Sequence, residues 1–206
     1  MGVFDFLKPK KSSIKNEEII EIKNNLTKPK LTSFLNMSFG SSEEVVHEEM
    51  TQKGAKLFGE RTESTIAYNN ISFGGFDVDF IIFYFFEGKF CKSSVYFNVI
   101  TSEFQLLDKY FSIKTNIDSK YYLSDKHYET YNYPFYKDDG QLILGLQIKE
   151  IDIKTFWNFP NSNSNYDDDY ISISLDERLN LILTYENTFL NTQYVDFYTS
   201  KRMDDF

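Results

Sequence analysis

Between residues 65 and 99 apolar and polar side chains follow a period of two, the signature of β-strands. Val78 to Phe86 is rich in Phe, Ile, Tyr and Val and apolar on both faces. Val78, Phe80, Ile82, Tyr84 and Phe86 lie on one side, Ile81, Phe83 and Phe85 on the other. Glu87-Gly88 predicts a tight reversal, after which Phe90 to Val99 returns. In the return strand Cys91, Ser93, Val95, Phe97 and Val99 share one face, Lys92, Ser94, Tyr96 and Asn98 the other. An outgoing strand apolar on both sides predicts a central position, its second face covered by a helix, the long loop or a partner. Residues 65–73 predict a short strand ending at the turn Gly74-Gly75. Leu142–Ile151, Tyr170–Leu175 and Leu179–Tyr185 predict three more, the last two a hairpin around Asp176-Glu177-Arg178.

Helical spacing appears three times. Ile19, Ile22 and Leu26 predict a thin helix over 14–26 that stops before Pro29. Ser41-Ser-Glu-Glu44 reads as a capping box, followed by Val46 and Met50 one turn apart and by Gly54 as a left-handed stop. Ser102-Glu-Phe-Gln105 predicts a second box, with Phe104, Leu107 and Phe111 as its apolar stripe. Residues 1–12 read as a mobile leader, 112–140 as irregular, and 161–165 running into Asp167, Asp168 and Asp169 as an exposed loop. Residues 187–206 fit either a short helix or an edge strand with a tail. No repeat of fixed period emerges, although hairpin, helix and sheet echo loosely along the chain. No Gly/Pro/Ser linker divides it. The expectation is an α+β fold: after the leader, one domain over 13–206 built on a single twisted antiparallel sheet. That sheet has five to seven strands, and helices near 41–53 and 102–111 pack on one face.

Composition narrows the function. The 206 residues carry 22 Lys+Arg against 31 Asp+Glu, a net charge of -9. That balance disfavours phosphate-backbone binding, which needs cations to displace counterions. One cysteine excludes an intramolecular disulfide framework and multi-cysteine zinc modules. No stretch approaches the ~20 apolar residues that span a bilayer. The start lacks the order of a secretory signal, and Phe6 stands where a myristoylation site wants Ser or Thr. Asn25, Asn36 and Asn70 open N-x-S/T triplets that so Asn-rich a chain produces by chance. The expected location is cytoplasmic.

Candidate chemistry is thin. His47 begins His-Glu-Glu-Met-Thr, without the second histidine of a helical zinc site. Cys91 falls mid-strand on the apolar face, where it behaves as a small hydrophobe. Phe73-Gly-Gly-Phe76 is neither a dinucleotide fingerprint nor a P-loop, and no Gly-x-Ser-x-Gly elbow occurs. Asp77 with Asp79, and the run Asp167–Asp169, offer hard oxygens but no calcium-loop pattern. No cofactor or metal is expected.

Phe39-Gly-Ser-Ser-Glu-Glu-Val45 is similar to the "G-(S/T)-x-(E/D)-(E/D)-V" helix start of the BamE/SmpA-like and β-lactamase-inhibitor-protein-like repeat. Ile66-Ala-Tyr68, Ile81 to Phe90 and Ser93 to Phe97 resemble the strands that follow it there. The resemblance covers roughly residues 36–99. It implies an α+β fold whose sheet is a protein-binding surface, with no catalytic residue. The outer-membrane branch carries a signal and lipobox cysteine that this chain lacks, so that cellular role is not carried over.

The residues themselves lead to a related expectation. Tyrosine combines a large contact area, a polar tip and a small entropy loss on ordering, and acidic runs steer basic partners. The expected partner surface is therefore Asp167, Asp168 and Asp169 with Tyr128, Tyr131, Tyr133, Asp138 and Asp139. The function that follows is a non-enzymatic, acidic protein-binding module, of inhibitor or immunity type, for a basic effector. Two alternatives stand beside it. One is a hydrolase or transferase with a carboxylate–histidine site at residues 125–139, around Asp125, His127 and Asp138; the other is a structural homodimer using strand Val78–Phe86.

Overall fold

The structure, a computed structural model, describes residues 28–161 and 165–204; the expected leader and first helix lie outside the described residues. Its centre is the hairpin predicted from the period of two. β6 (Phe76–Phe86) turns through Glu87 and Gly88, both at positive φ, into β7 (Lys89–Phe97). A left-handed pair at a two-residue turn matches the twist of the strands it joins. Two small two-residue strands, β1 (Ser33–Phe34) and β2 (Met37–Ser38), form a separate hairpin. The remaining strands are β3 (Lys56–Leu57), β4 (Thr65–Asn69), β5 (Ser72–Phe73), β8 (Lys126–Tyr131), β9 (Ile151–Phe159), β10 (Asp169–Leu175) and β11 (Leu181–Glu186). They complete a nine-stranded antiparallel sheet in the order β3-β4-β6-β7-β11-β10-β9-β8, with β5 paired to β6. The described helices are α1 (Glu43–Gln52), α2 (Glu103–Lys120), α3 (Leu142–Gln147) and α4 (Thr188–Asp204).

Outward from the β7–β11 seam the order repeats: β7, β6, β4, β3 on one side and β11, β10, β9, β8 on the other. Each run of strands follows a helix, α1 or α2. The loose echo along the sequence is thus a near-twofold arrangement of two helix-plus-meander halves. The fold class is the expected α+β, with more strands than predicted.

One face of the sheet is the core. Ile81, Phe83, Val95, Leu183, Ile173 and Trp157, from five neighbouring strands, are fully buried there. α1 closes it with Val46 and Met50, as expected. Its cap is Ser42 rather than Ser41, without a side-chain cap bond, because the Ser41 carbonyl accepts from the Phe90 amide (2.9 Å) and ties the helix start to β7. α2 buries Leu106, Tyr110, Ile113 and Ile117, spaced four, three and four residues apart. The predicted stripe is corrected: Phe104 is 79% and Phe111 41% exposed.

Three other segments differ from expectation. The predicted strand Leu142–Ile151 holds a short helix over Leu142–Gln147, in which Leu142, Gly145 and Leu146 turn inward at helical spacing, and Ile151 opens the next strand. Gly145 is required because a Cβ there would collide with the Ile151 side chain. The strand that follows, β9, alternates buried Ile151, Ile153, Thr155, Trp157 and Phe159 with half-buried neighbours. The irregular segment contains β8, an edge strand.

The second, outer face of β6 has the cover its composition required. Of the residues that fit either element, Thr188–Asp204 are helix: α4 crosses this face, with Tyr194 edge-on to Tyr84 and Phe197 edge-on to Phe86. Phe58 stacks on Phe80 farther along, 5.1 Å between ring centroids. β6 is flanked by β4 and β7, so both of its edges are paired within the sheet. No helix of the described residues is long and apolar enough to cross a membrane.

The α2 assignment is directly testable. Leu106→Ala removes a fully buried side chain and is expected to lower unfolding free energy by about 2–5 kcal/mol in urea titration. Phe104→Ala, at an exposed site, is expected to stay within about 0.5 kcal/mol of the parent.

Candidate functional site

The outer face is laid out in rows by strand register. The row nearest α4 runs Tyr84, Lys92, Glu186, Tyr170, Asn158 across five strands. The Lys92 ammonium pairs with Glu186 at 3.1 Å and lies 5.6 Å from the centre of the Tyr84 ring. Tyr170 donates its hydroxyl to Glu186 Oε2 at 2.6 Å. Burial, then the neighbouring Glu186 charge, raises the Tyr170 phenol pKa, so it stays a neutral donor. α4 shelters this row.

Beyond it no described helix lies on the face, although Phe58 stacks on Phe80 and Ser94 is buried among its neighbours. The next row is Ile82, Ser94, Thr184, Ser172, Phe156; the one after is Phe80, Tyr96, Ile182, Ser174, Lys154, Tyr128. Phe80 and Tyr96 stack at 4.5 Å, and Tyr128 meets Phe156 edge-on at 6.0 Å. Between these aromatic groups lie the hydroxyls of Ser94, Thr184, Ser172 and Ser174, the first two 3.4 Å apart. The result is a shallow floor of small polar side chains between two aromatic shoulders. Its rim carries acids that already have partners: Asp152 pairs with Lys154 (2.9 Å), Glu177 with Lys149 (3.5 Å), and Asp176 accepts the amides of Arg178 and Asn180 in the β10–β11 turn.

The expected partner residues divide between two places. Tyr128 stands on the outer face of β8, 47% exposed, and Tyr131 ends that strand on the core side. Tyr133 is 84% exposed in the following loop, where Asp138 sits at positive φ and Asp139 accepts the amides of Tyr136 and Gln141, both at 2.8 Å. These five belong to the rim end of β8 and the loop beyond it. Asp167 and Asp168 are exposed at the other end, where Asp169 pairs with Phe159, whereas Tyr131 pairs with Ile151. Eight residues of β9 separate those pairs, roughly 26 Å of strand. One continuous surface does not contain both groups.

Asp169 departs further from the exposed loop expected of it. It is 5% exposed and anchors α4: Oδ1 accepts the Thr188 amide at 2.9 Å and Asn161 Nδ2 at 3.0 Å, while Oδ2 accepts Asn187 Nδ2 at 3.2 Å. Burial raises its pKa from 3.8 to about 6, against the lowering effect of those donors.

The catalytic grouping of Asp125, His127 and Asp138 does not assemble. Asp125 precedes β8 and is held by Lys28, by Tyr122 (3.2 Å) and by the Asn158 amide (2.7 Å), whereas Asp138 follows its other end. His127 instead joins a hydrogen-bonded string. Tyr110 and His127 Nδ1 each bond Thr155 Oγ1 at 2.7 Å, His127 Nε2 bonds Glu129 at 3.0 Å, and Glu129 pairs with Lys137 at 2.6 Å. Burial pushes the Glu129 carboxyl up, but bonds from Lys137 and His127 outweigh it and leave its pKa below the ordinary value. A hydroxyl, an imidazole and a carboxylate in line have the order of a hydrolytic triad. Here the hydroxyl is fully buried under Tyr110, out of reach of a substrate, and the string straps β8 and β9 to α2.

His47 bonds the Tyr68 hydroxyl at 2.8 Å. Cys91 is buried, its thiol pushed up to about 12 mainly by desolvation, and it points toward the Tyr84 carbonyl. Among the described residues no cluster of His, Cys, Asp or Glu is arranged to hold a metal. No known protein family, curated protein or solved structure matches the chain.

The Asp169 anchor predicts a pH dependence. Its folded pKa lies above its unfolded value, so its contribution to stability is fully present below about 4 and is lost as pH rises through about 6. Asp169→Asn keeps the Oδ1 bonds and removes the charge. It is expected to lie within about 1 kcal/mol of the parent at neutral pH and to flatten the stability profile between about pH 4 and 6.5, read by chemical denaturation.

Proposed function

We propose that this chain is a non-enzymatic binding protein of the cytoplasm, of inhibitor or immunity type, whose ligand is a basic protein held on the open half of the outer sheet face. The observation that carries the reading is the pair of rows, free of any helix among the described residues, in which Phe80 and Tyr96 on one side and Phe156 and Tyr128 on the other frame a hydroxyl floor. Rigid aromatic shoulders supply contact area at small entropy loss, and small residues between them let a partner side chain approach the strands. The net charge of -9 and the acids Asp152, Asp176 and Glu177 along the rim favour a cationic visitor and speed its arrival. The resemblance of residues 36–99 to the BamE/SmpA-like and β-lactamase-inhibitor-protein-like repeat points the same way, since it implies a sheet that binds protein. Of the tyrosines expected to meet the partner, Tyr128 is the one on this face, while Tyr133, Asp138 and Asp139 follow β8 in its loop. Asp167 and Asp168 lie at the other end, so they contribute to the long-range field rather than to contact.

The test is capture by the immobilised full chain from lysate of its source cells, at about 50 and about 500 mM salt. A stoichiometric basic partner is expected at low salt, to weaken at high salt, and to be lost with Ser172→Arg, which fills the floor. Glu177→Lys, at an exposed turn position, is expected to weaken capture with an unchanged circular dichroism spectrum. The absence of a stoichiometric partner, or capture indifferent to Ser172→Arg, contradicts the reading.

A further inference from the structure

We propose that the free edge of β8 pairs with the same edge of a second copy of this chain, antiparallel about a twofold axis at Tyr128, so that two sheets become one. The inference shares Tyr128 with the outer-face reading above but rests on the β8 backbone edge and not on that reading. It begins with backbone accounting. The register of β8 on β9 is regular from Lys126–Phe156 to Tyr131–Ile151, and the Asn132 amide donates to the Glu150 carbonyl at 2.9 Å. Hydrogen-bonded pairs alternate along an antiparallel ladder, so Thr130, Tyr128 and Lys126 bond inward to β9. His127, Glu129 and Tyr131 therefore turn their amides and carbonyls outward, and among the described residues no backbone group pairs with them. An edge of this length is a template for another strand unless it is blocked.

The side chains then choose the partner. A twofold axis through Tyr128 sets His127 opposite the second copy's Glu129, and Glu129 opposite its His127, on the core side. On the outer side Tyr128 meets its own copy and Lys126 meets Thr130. The pleat allows only pairs that share a face. The neighbouring register, with its axis through Glu129, places that carboxylate against itself, which is destabilising. With the axis at Tyr128, the Phe156–Tyr128 contact of each copy joins into one aromatic row across the seam.

A six-residue ladder is small for a stable interface, and α2 supplies the remainder. Phe104 and Phe111 fall on one face of that helix, two turns apart, and both are exposed. Phe111 lies 6.1 Å from His127, ring to ring. Tyr110, next to Phe111, bonds Thr155 of β9 at 2.7 Å, so this turn of α2 lies over the core side of β8 and β9. α2 thus carries an exposed apolar ledge, Phe104 and Phe111, beside the outermost strand. The twofold axis brings the two ledges toward each other on the core side.

Sedimentation of the full chain between about 1 and about 100 μM is expected to show a species of twice the 24.3 kDa monomer mass. Phe104→Glu with Phe111→Glu, both at exposed sites, is expected to raise the dissociation constant at least about tenfold with an unchanged circular dichroism spectrum. Register is read by cysteine. A Tyr128→Cys pair falls at a non-hydrogen-bonded position about 4.5 Å apart at Cα, within disulfide range, and is expected to cross-link on mild oxidation. Thr130→Cys alone is expected not to, and Lys126→Cys with Thr130→Cys together is expected to do so. A monomer throughout the concentration range, or cross-linking of Thr130→Cys as readily as Tyr128→Cys, overturns the proposal, as does a β8 edge that pairs with a different protein while the chain stays monomeric.

Discussion

The pairing of β7 with β11 is the constraint on which the rest of the molecule depends. It joins residues about ninety positions apart and welds two meanders into one sheet, with Val95 opposite Leu183 inside and Lys92 opposite Glu186 outside. Closing so long a loop costs conformational entropy that only burial on both sides of the seam can offset. The core side buries Val95, Phe97, Leu181 and Leu183 completely. The outer side holds a half-buried ion pair satisfied by a tyrosine hydroxyl and an aromatic ring, an arrangement that tolerates desolvation because each charge has a partner. A slip of β11 by one residue against β7 would send Glu186 toward the core and Leu183 into water.

From that seam the division of labour between faces follows. β11 ends at Glu186, so α4 must begin there, and Asp169 on the adjacent strand meets its first amides. The helix then covers Tyr84 and Phe86 and leaves the rows beyond them open. Shelter and exposure on the outer face are thus two consequences of one chain reversal. The Tyr110–Thr155–His127–Glu129–Lys137 string does comparable work at the far edge, holding β8 in place so that its outward backbone groups stay aligned.

The hairpin β6–β7 was fully legible in the sequence because each of its signals is local: alternation, β-rich composition and Glu87-Gly88 at the reversal. The need for a cover on the second face of β6 was legible too, although not its identity, since the ends of α4 and β6 are far apart in sequence. The stripe of α2 was misplaced because helical period alone cannot choose between Phe104-Leu107-Phe111 and Leu106-Tyr110-Ile113-Ile117, and the larger rings drew the assignment. Leu142–Ile151 reads as a strand because Leu, Ile and Gly there are compatible with either element. The clean alternation of Ile151 to Phe159 lay just beyond. Asp169 was read as solvated with its two neighbours. Its burial comes from α4 landing on it, a contact no local pattern announces. The open aromatic floor was invisible for the same reason: Phe80, Tyr96, Phe156 and Tyr128 become neighbours only once the strand order is known.

The register of the seam is therefore what most needs measuring. Nuclear Overhauser contacts across β7 and β11 in labelled protein report it strand by strand. The account predicts backbone contacts joining Tyr96 to Ile182, Ser94 to Thr184 and Lys92 to Glu186. Contacts that instead join Val95 to Ile182 or Ser93 to Thr184 would exchange the two faces, and with them the buried core, the α4 cover and the open floor.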